Sequence, residues 1–483
     1  MSRPRRFGKS MAANMLAAYY DRSENIEELF RNLAISKDSS YKENLNQYDV
    51  IKINMQEFLS MSGTMEEMLE MLKKYLVLDF EETYPQVRFR DEKNLIQVMK
   101  DVFSYTRCPF VILIDEWDCL FREYKQDKEA QKKYLDFLRL WMKDKPYIAL
   151  AYMTGILPIK KYGEHSALNM FDEYSMTNQR ELAEFTGFTE TEVQSLCMSY
   201  GMSYDRMKQW YDGYDLKGIQ IYNPRSVVCA LRDNQLANYW TSSGTYDSIF
   251  NYIKGNIADV RNDLVLMVAG EHVPAKMQQY AATANALHTK DQIYSAMVVY
   301  GLLTYENGKV FIPNKELMDK FDELLLSNQQ LGYVYRLARE SQRMLQATIH
   351  GDTDTMEEIL EYVHDTEVPI YSYNSEVELS AIVNLAYLSA RDQYHIERED
   401  KAGKGFVDFI FYPYDRTTDG VILELKVDKT PEYAISQIKE KQYALRFKGK
   451  LAEKQQFTGR ILAVGINYDK ETKQHRCKVE EIK

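Results

Sequence analysis

The sequence predicts three folded regions: an α/β domain at residues 1–185, a mainly helical middle at 186–330 and an α+β domain at 366–483. Apolar runs alternate with helical periodicity in the first region, which is the pattern of a three-layer α/β domain. In the last region, apolar strands return at 405–413, 420–427 and 459–469, and a helix is predicted before the last of them. Polar residues with helical periodicity at 331–365 predict a connector.

Composition excludes several classes of protein. The 483 residues carry a net charge of -11, which argues against broad coating of nucleic acid but leaves room for one local basic groove. Five scattered cysteines without a CxxC pair, and only seven histidines, argue against a zinc site and suit a reducing compartment. No apolar run approaches the roughly 18 residues of a membrane span. We therefore expect a cytoplasmic protein without a membrane partner.

Three strands are predicted in the α/β domain, at residues 48–55, 108–118 and 147–156. The run at 108–118 has an apolar core bounded by Pro109 and by acidic residues, as expected of a buried parallel strand. Residues 65–80 have helical periodicity. This alternation predicts a parallel sheet covered by helices.

The middle region predicts helices and one hairpin. "TETEVQSLCMSYG" predicts a helix that stops at Gly201, "YDGYDL" predicts a turn, and "IYNPRSVVCALRDN" predicts a helix with Pro224 near its start. Residues 293–325 predict a helix, a hairpin across Asn307-Gly308 and a second helix. This pattern fits a winged-helix-like unit and a plain helical lid equally well.

The first ten residues end in Phe7-Gly8-Lys9-Ser10, the pattern that closes a phosphate-binding loop. A triphosphate is bound by N–H groups at a helix N-terminus, by a lysine and by a hydroxyl that holds Mg²⁺. Gly8, Lys9 and Ser10 fit these roles, and "MAANMLAAYY" supplies the helix. The usual pattern has a glycine where this chain has Arg3, so the loop alone is a weak signal. The predicted ATP-binding residues are Arg6, Phe7, Gly8, Lys9, Ser10 and, from a later strand, Asp115.

Polar residues at the ends of two later strands strengthen this prediction. Asp115 follows an apolar strand in "VILIDEWD", where it would hold Mg²⁺ together with Ser10, and Glu116 is placed to activate water. Thr154 closes the next strand, where its hydroxyl would contact the γ-phosphate or the attacking water. Hydrolysis also needs a cation on the transferred phosphoryl group. Four arginines are candidates that the sequence does not rank: Arg5, Arg6, Arg180 and Arg225.

Six motifs in this order resemble the AAA-ATPase-like proteins of anaerobic and gut bacteria: "RPRRFGKS", "VILIDEWD", "TGI", "YDGY", "YNP" and "YGLLTY". In that family the phosphate loop runs Ser/Thr-Arg-Pro-Arg-Arg-Phe-Gly-Lys-Ser/Thr, and this chain matches it throughout residues 2–10. Family members usually carry upstream residues that end in the strand before this loop. The resemblance therefore implies that the first domain lacks its N-terminal strand, that Met1 is an internal methionine of a longer protein, and that the loop loses its backbone anchor. A naturally shortened ATPase is the alternative.

Two strands predicted at 405–413 and 420–427 bring acidic and basic groups together. Residues two apart in a strand share a face, so Glu424 and Lys426 point to one side and the neighbouring apolar residues to the core side. A hairpin would place Asp408 beside Glu424. Two carboxylates and a lysine are costly to cluster on an otherwise apolar surface, which indicates a function.

This cluster predicts a metal-dependent site for cleaving phosphodiesters. Asp408 and Glu424 would hold Mg²⁺ or Mn²⁺, and Lys426 would orient the attacking water or offset negative charge. Glu378 on the preceding helix would add a carboxylate, and Gln437 on the following helix would position water or substrate. The alternative is a surface salt bridge between Glu424 and Lys426.

The helices predicted on either side, "EVELSAIVNLAY" and "AISQIKEKQYA", complete an arrangement that resembles the PD-(D/E)xK nuclease superfamily, whose fold is restriction-endonuclease-like. Val407 stands where a proline often precedes the first aspartate. Together the resemblances imply an ATPase coupled to a metal-dependent nuclease-like domain, with ATP and Mg²⁺ as cofactors, DNA as the expected substrate and a homo-oligomer as an expected assembly. Two alternatives remain: a nucleotide-gated interaction protein with an inactive nuclease fold, and a truncated ATPase with impaired nucleotide binding.

Overall fold

Three strands of the first domain form a parallel sheet in the order β1-β2-β3. They are β1 Asp49–Asn54, β2 Phe110–Asp115 and β3 Ile148–Met153. β2 is buried along its whole length because it lies between the other two strands. The computed structural model describes residues 1–23, 26–159, 168–177, 182–216, 218–241, 260–277, 287–327, 333–367, 376–402, 405–415, 417–444, 447 and 459–482.

Helices around these strands share one hydrophobic core with β2. Ile112 and Ile114 of β2 lie in a buried cluster with Leu72, Val98 and Trp141, which come from three different helices. The helices of this core are α4 Met55–Ser60, α5 Met65–Thr83, α6 Leu95–Thr106, α7 Cys119–Glu123 and α8 Lys128–Met142. A separate buried cluster contains Tyr19, Phe30 and Tyr41, which lie on α1 Lys9–Tyr20, α2 Glu27–Phe30 and α3 Tyr41–Asn44. The three predicted strands and the helix predicted at 65–80 are confirmed.

Met1–Arg3 lie beside the carboxyl end of β3. Ser2 forms a parallel bridge with Gly155. The Met1 amino group donates to Met153 O at 2.7 Å, Gly155 N donates to Met1 O at 3.2 Å, and Arg3 N donates to Gly155 O at 3.1 Å. The expectation that the phosphate loop loses its backbone anchor is therefore wrong, because these bonds hold its start at the end of β3.

A small antiparallel sheet in the middle region was not predicted. β4 Phe188–Thr189, β5 Tyr214–Leu216 and β6 Ile219–Tyr222 pair in the order β4-β6-β5. The interpretation of "YDGYDL" as a turn is wrong, since its last three residues form β5. The helix predicted from "IYNPRSVVCALRDN" is confirmed and begins at Pro224. The helices around this sheet are α9 Glu190–Tyr200, α10 Tyr204–Tyr211 and α11 Pro224–Asp233.

The predicted helix–hairpin–helix segment is present. It comprises α13 Lys290–Val299, β8 Thr304–Glu306, β9 Lys309–Phe311 and α14 Lys315–Ser327, and is preceded by α12 Val260–Val268 and β7 Val273–Pro274. Asn307 and Gly308 have φ angles of 48° and 81°, as the predicted two-residue turn requires. Assignment of this segment as a winged-helix-like unit stays a prediction.

The C-terminal region contains a five-stranded mixed sheet in the order β10-β11-β12-β13-β14. β12 and β13 are parallel, and the other neighbours are antiparallel. The predicted strands β11, β12 and β13 are confirmed, whereas β10 and β14 were not predicted. The elements are α15 Tyr333–His350, α16 Thr353–Glu367, α17 Glu376–Ala386, β10 Tyr394–Ala402, β11 Gly405–Pro413, β12 Gly420–Val427, α18 Pro431–Glu440, β13 Ile461–Asp469 and β14 Gln474–Ile482.

Contacts between residues divide the chain into two compact units. The first comprises Met1–Ile249 and Pro274–Glu316, and the second comprises Phe250–Val273 and Leu317–Lys483. The domain boundaries drawn from the sequence at residues 185, 330 and 365 stay predictions. Within the described ranges, no helix combines the length and the apolar character needed to cross a membrane.

Candidate phosphate-binding and metal-binding sites

The predicted phosphate loop ends where α1 begins. Gly8 has a left-handed conformation with φ 85°, and Lys9 is the first residue of α1. Arg6 is also left-handed, with φ 69°, and the side chains of Arg6 and Ser10 are exposed. The first N–H groups of a helix have no acceptor within it, so the start of α1 offers the backbone donors that the predicted phosphate site requires.

The Lys9 side chain is buried inside the loop. Its ammonium donates to Arg3 O at 3.0 Å and to Pro4 O at 2.9 Å. Burial is the main cause that lowers the pKa of Lys9, and the nearby carboxylates of Glu116 and Asp118 act in the opposite direction. The lysine of the loop and the acidic end of β2 therefore belong to one electrostatic site.

Asp115, Glu116 and Thr154 meet at the carboxyl ends of β2 and β3. The Thr154 hydroxyl donates to Asp115 Oδ1, and Glu116 N donates to the same oxygen at 3.0 Å. Burial is the main cause that raises the pKa of Glu116. The structure thus brings together the three strand-end residues that the sequence singled out.

Two further charged residues at this site were missed by the sequence analysis. Arg122 on α7 forms an ion pair with Glu116 and lies 3.4 Å from the carboxylate of Asp118. Asp118 is fully buried and accepts the backbone N–H groups of Ile156 at 3.1 Å and Leu157 at 2.8 Å. In the sequence, Asp118 and Arg122 form an ordinary i,i+4 pair, and nothing distinguishes them from a surface salt bridge.

The remaining residues predicted for this site differ in how far their side chains are exposed. Phe7 is fully buried between aromatic rings, so its side chain supports the loop from inside the fold, and any nucleotide contact from this position would come from its backbone. Arg5 is exposed, and Arg225 is half-buried with its Nε 3.5 Å from Tyr239 O. Arg180 lies outside the described residues.

The acidic cluster of the second unit lies on β11 and β12. Phe409 pairs with Leu423, so the register places Asp408 opposite Glu424. The Asp408 carboxylate accepts the N–H of Leu425 at 2.7 Å. Sequence and structure therefore agree on the hairpin and on the neighbouring carboxylates.

Glu424 and Lys426 form a buried ion pair. The Lys426 ammonium donates to Glu424 Oε1 at 2.9 Å. The side chain of Lys426 is 8% exposed and that of Glu424 is 3% exposed. The alternative of a surface salt bridge is therefore wrong. Glu424 Oε2 is buried and has no hydrogen-bond partner in the described part of the chain, so one carboxylate oxygen remains available for a ligand.

Gln437 reaches Glu424 because α18 packs closely on the sheet. Its side-chain amide donates to Glu424 Oε1. Glu424 pairs with Gly465 of β13, and a Cβ at Gly465 would lie only 2.4 Å from Pro431 O at the start of α18. The glycine thus permits the approach that brings Gln437 to the site, a role that the sequence did not reveal.

The surroundings of Glu424 change its acidity. Burial is the main cause that raises the pKa of Glu424 to about 7, and the nearby carboxylate of Asp408 acts in the same direction. Lys426 and the more distant Lys441 oppose this shift. A bound divalent cation would favour the ionised form of Glu424 and so oppose the rise in its pKa, because it offers a positive charge to both carboxylates.

The chemistry of the donor set fits an oxygen-preferring cation, although the ligand set is small. Asp408 and Glu424 supply carboxylate oxygens, which Mg²⁺ and Mn²⁺ prefer. Glu378 lies on α17, but its side chain is outside the described part of the structure. Among the described residues, no group of three acidic, histidine or cysteine side chains is placed to hold a metal ion.

Comparison with known protein families matches two parts of the chain. Residues 1–163 match the AAA-ATPase-like family, described as a predicted AAA-ATPase. Residues 378–477 match the PD-(D/E)XK nuclease superfamily. The first match contains the phosphate loop and the ends of β2 and β3, and the second contains β11, β12 and α18.

Individual relatives are distant. An uncharacterized protein in the vnfD 5' region of Azotobacter chroococcum mcd 1 is 25% identical over 256 residues, which are 51% of this chain and 47% of that protein. The aligned part thus spans about half the length of that relative. Among solved structures, the Walker-type ATPase PABY2304 of Pyrococcus abyssi aligns with a TM-score of 0.35 and 12% identity, over 66% of this chain and 98% of the other.

Proposed function

We propose that this chain, which joins an AAA-ATPase-like domain to a PD-(D/E)XK nuclease superfamily domain, binds and hydrolyses ATP and uses a metal-dependent site to cleave phosphodiester bonds in DNA. The observation that carries the ATPase proposal is the shared electrostatic site of Lys9 and the acidic end of β2. A buried ammonium beside a helix N-terminus provides what a triphosphate needs, namely a cation and several N–H donors.

At the first site, each residue has a separate task. Lys9 would exchange its two backbone carbonyl acceptors for the oxygens of the outer phosphates. Ser10 and Asp115 would hold Mg²⁺, whose charge offsets that of the phosphates. Glu116 would accept a proton from the attacking water, and its raised pKa brings it closer to the operating pH, where a general base is most effective. Thr154 would keep Asp115 oriented.

ATP binding and hydrolysis can be tested separately. Titration calorimetry with Mg·ATP measures binding, and phosphate release measures turnover. We expect Lys9→Ala to abolish binding, whereas Glu116→Gln should retain binding and lose turnover by about 10²-fold or more. Lys132→Ala, an exposed substitution on α8, is the control and should behave as wild type. Wild-type protein that neither binds nor hydrolyses ATP would refute the proposal.

At the second site, Asp408 and Glu424 would hold the metal ion through their carboxylates. The chemistry that such an ion would supply when bound is polarisation of a phosphate and a lowered pKa for a coordinated water. Lys426 would orient the attacking water from within its ion pair with Glu424, and Gln437 would fix the Glu424 carboxylate. Burial of Glu424 and Lys426 strengthens these electrostatic interactions.

Cleavage is tested by nicking of supercoiled DNA in Mg²⁺ or Mn²⁺. We expect Glu424→Gln and Lys426→Met to lose nicking. The control is Glu471→Gln, which changes an exposed acid in the same unit. Absence of cleavage by wild-type protein in either metal, on DNA and on RNA, would refute the nuclease assignment while leaving the ATPase proposal intact.

The second candidate is a nucleotide-gated interaction protein in which the nuclease fold only binds. The small described ligand set favours it, because two carboxylates hold a divalent cation less firmly than a complete set. It predicts an ATP-dependent change in mass or shape, measured by light scattering, without nicking in any metal.

A further inference from the structure

The phosphate loop contacts residues that lie more than 200 positions later in the first unit. The indole N–H of Trp240 donates to Arg5 O at 3.0 Å. Phe7 is fully buried, and its ring centroid lies 6.4 Å from that of Trp240 and 5.4 Å from that of Tyr214, both nearly perpendicular to it. Such edge-to-face pairs fix ring positions as well as burying apolar area.

Tyr214 and Trp240 are themselves held in place by hydrogen bonds. The Tyr214 hydroxyl donates to Gly301 O at 2.7 Å. The backbone N–H of Trp240 donates to Glu316 Oε1 at 2.6 Å, and the buried Glu316 also accepts the Ser226 hydroxyl at 2.8 Å. The rings that contact Phe7 are therefore not free to follow it if the loop moves.

Gly301 brings a third segment against the loop. It has φ 80°, and a Cβ at this position would lie 2.7 Å from Pro4 Cγ and 3.1 Å from the Trp240 ring. Only a glycine lets the backbone approach the loop this closely. The loop thus rests on Tyr214, Trp240 and Gly301, which we call the anchoring cluster.

We infer that the anchoring cluster positions the phosphate loop, so that the affinity of the loop for the phosphates of ATP is set by segments of the middle region. This inference rests on the proposed nucleotide site. Backbone N–H groups bind phosphate only when their directions converge, and displacement of Pro4 or Phe7 rotates the peptide groups between them. By linkage, ATP bound at the loop also stabilises the anchoring cluster.

Two glycines with nearly the same positive φ angle provide a matched test. Gly301 and Gly308 have φ 80° and 81°, so Gly301→Ala and Gly308→Ala carry the same backbone cost. A Cβ at Gly308 would meet no atom within 4 Å, whereas the Cβ at Gly301 collides with Pro4. The difference between the two variants therefore reports displacement of the loop.

We expect Gly301→Ala to raise the Kd for Mg·ATP at least tenfold relative to Gly308→Ala, measured by titration calorimetry. The KM for ATP should rise in parallel, while kcat at saturating ATP changes less than twofold because the carboxylates at the end of β2 are untouched. If Gly301→Ala does not fold, as judged by circular dichroism, Trp240→Phe decides. It removes the bond to Arg5 O and shrinks the ring that contacts Phe7, and it should raise the Kd severalfold.

Hydrogen exchange measures the coupling in the wild-type protein. Mg·ATP should slow amide exchange at residues 214–216 and 300–303, and leave the hairpin turn at 307–308 unchanged. Wild-type affinity in Gly301→Ala and Trp240→Phe, or unchanged exchange at both segments, would overturn the inference alone. Failure of wild-type protein to bind Mg·ATP would overturn the proposed nucleotide site and this inference together.

Discussion

Protonation of Glu424 should control metal binding at the nuclease-like site. Burial raises the pKa of Glu424 from 4.5 to about 7. At pH 8 the carboxylate is about nine-tenths ionised, and at pH 6 about one-tenth, from the definition of the pKa. Only the ionised form is a good metal ligand, so a proton must leave before the ion binds.

The raised pKa of Glu424 also makes the free energy of unfolding depend on pH. A carboxyl group with a raised pKa binds its proton more tightly in the folded state, so its contribution is most favourable below pH 4.5 and is lost as pH rises through 7. The loss corresponds to about 3 kcal/mol, at about 1.4 kcal/mol per pKa unit. Glu424→Gln does not titrate, so without metal its stability relative to wild type should rise by this amount between pH 4.5 and 8.

Titration calorimetry with Mn²⁺ at pH 6 and pH 8, in buffers of different ionisation enthalpy, measures both affinity and released protons. We expect the affinity to fall nearly tenfold per pH unit below 7, with about 0.9 proton released per ion at pH 6 and about 0.1 at pH 8. Glu471→Gln should behave as wild type, and Glu424→Gln should lose this binding step. Equal affinity at pH 6 and 8, without proton release, would refute the assignment of Glu424 as a ligand.

Three further predictions concern other parts of the two units. Mg·ATP at about 100 times its Kd should stabilise wild-type protein and Lys132→Ala by about 2.7 kcal/mol in thermal unfolding and leave Lys9→Ala unaffected; equal stabilisation of Lys9→Ala would contradict its role. Arg122→Met should lower kcat for ATP at least tenfold with Kd unchanged, and Arg122→Lys should restore part of it, because a cation then again orients Glu116; unchanged phosphate release in Arg122→Met argues against this. Gly465→Ala should destabilise the second unit by about 1–3 kcal/mol in denaturant unfolding, since its Cβ meets the backbone of α18; wild-type stability would exclude this close packing.

The strands that sequence reasoning found, and those it missed, differ in their place in the sheet. β11, β12 and β13 are the three central strands of the C-terminal sheet and carry long apolar runs. β10 and β14 are its edges, with the sequences "YHIEREDKA" and "QHRCKVEEI". Edge strands carry charged side chains, which protect them from pairing with other chains, so their periodicity resembles that of a polar loop. In the C-terminal sheet, the apolar pattern therefore identifies the central strands and overlooks the charged edge strands.

Residues of the candidate sites could be predicted where a rule of local secondary structure determines their position. Asp115 and Thr154 follow neighbouring parallel strands, and the carboxyl ends of such strands meet at one edge of the sheet. Glu424 and Lys426 are two apart in a strand and therefore share a face. These rules need only the chain near each residue. They therefore identify Asp115, Glu424 and Lys426, but they reveal neither the burial of these residues nor the part that Asp118 and Arg122 take in the first site.

Contacts between segments that are distant in sequence cannot be predicted from local patterns. Such contacts determine the surroundings of the Phe7 side chain. As part of a loop motif, Phe7 is predicted to contact the nucleotide, yet its ring lies fully buried between Tyr214 and Trp240. The motif "YDGY" and the glycine of "YGLLTY" then have a physical reason to accompany the loop in the same chain, because Tyr214 and Gly301 contact each other beside it. These two motifs lie far from the loop in sequence and carry no catalytic group. Their contacts with the phosphate loop are therefore the best explanation for their presence.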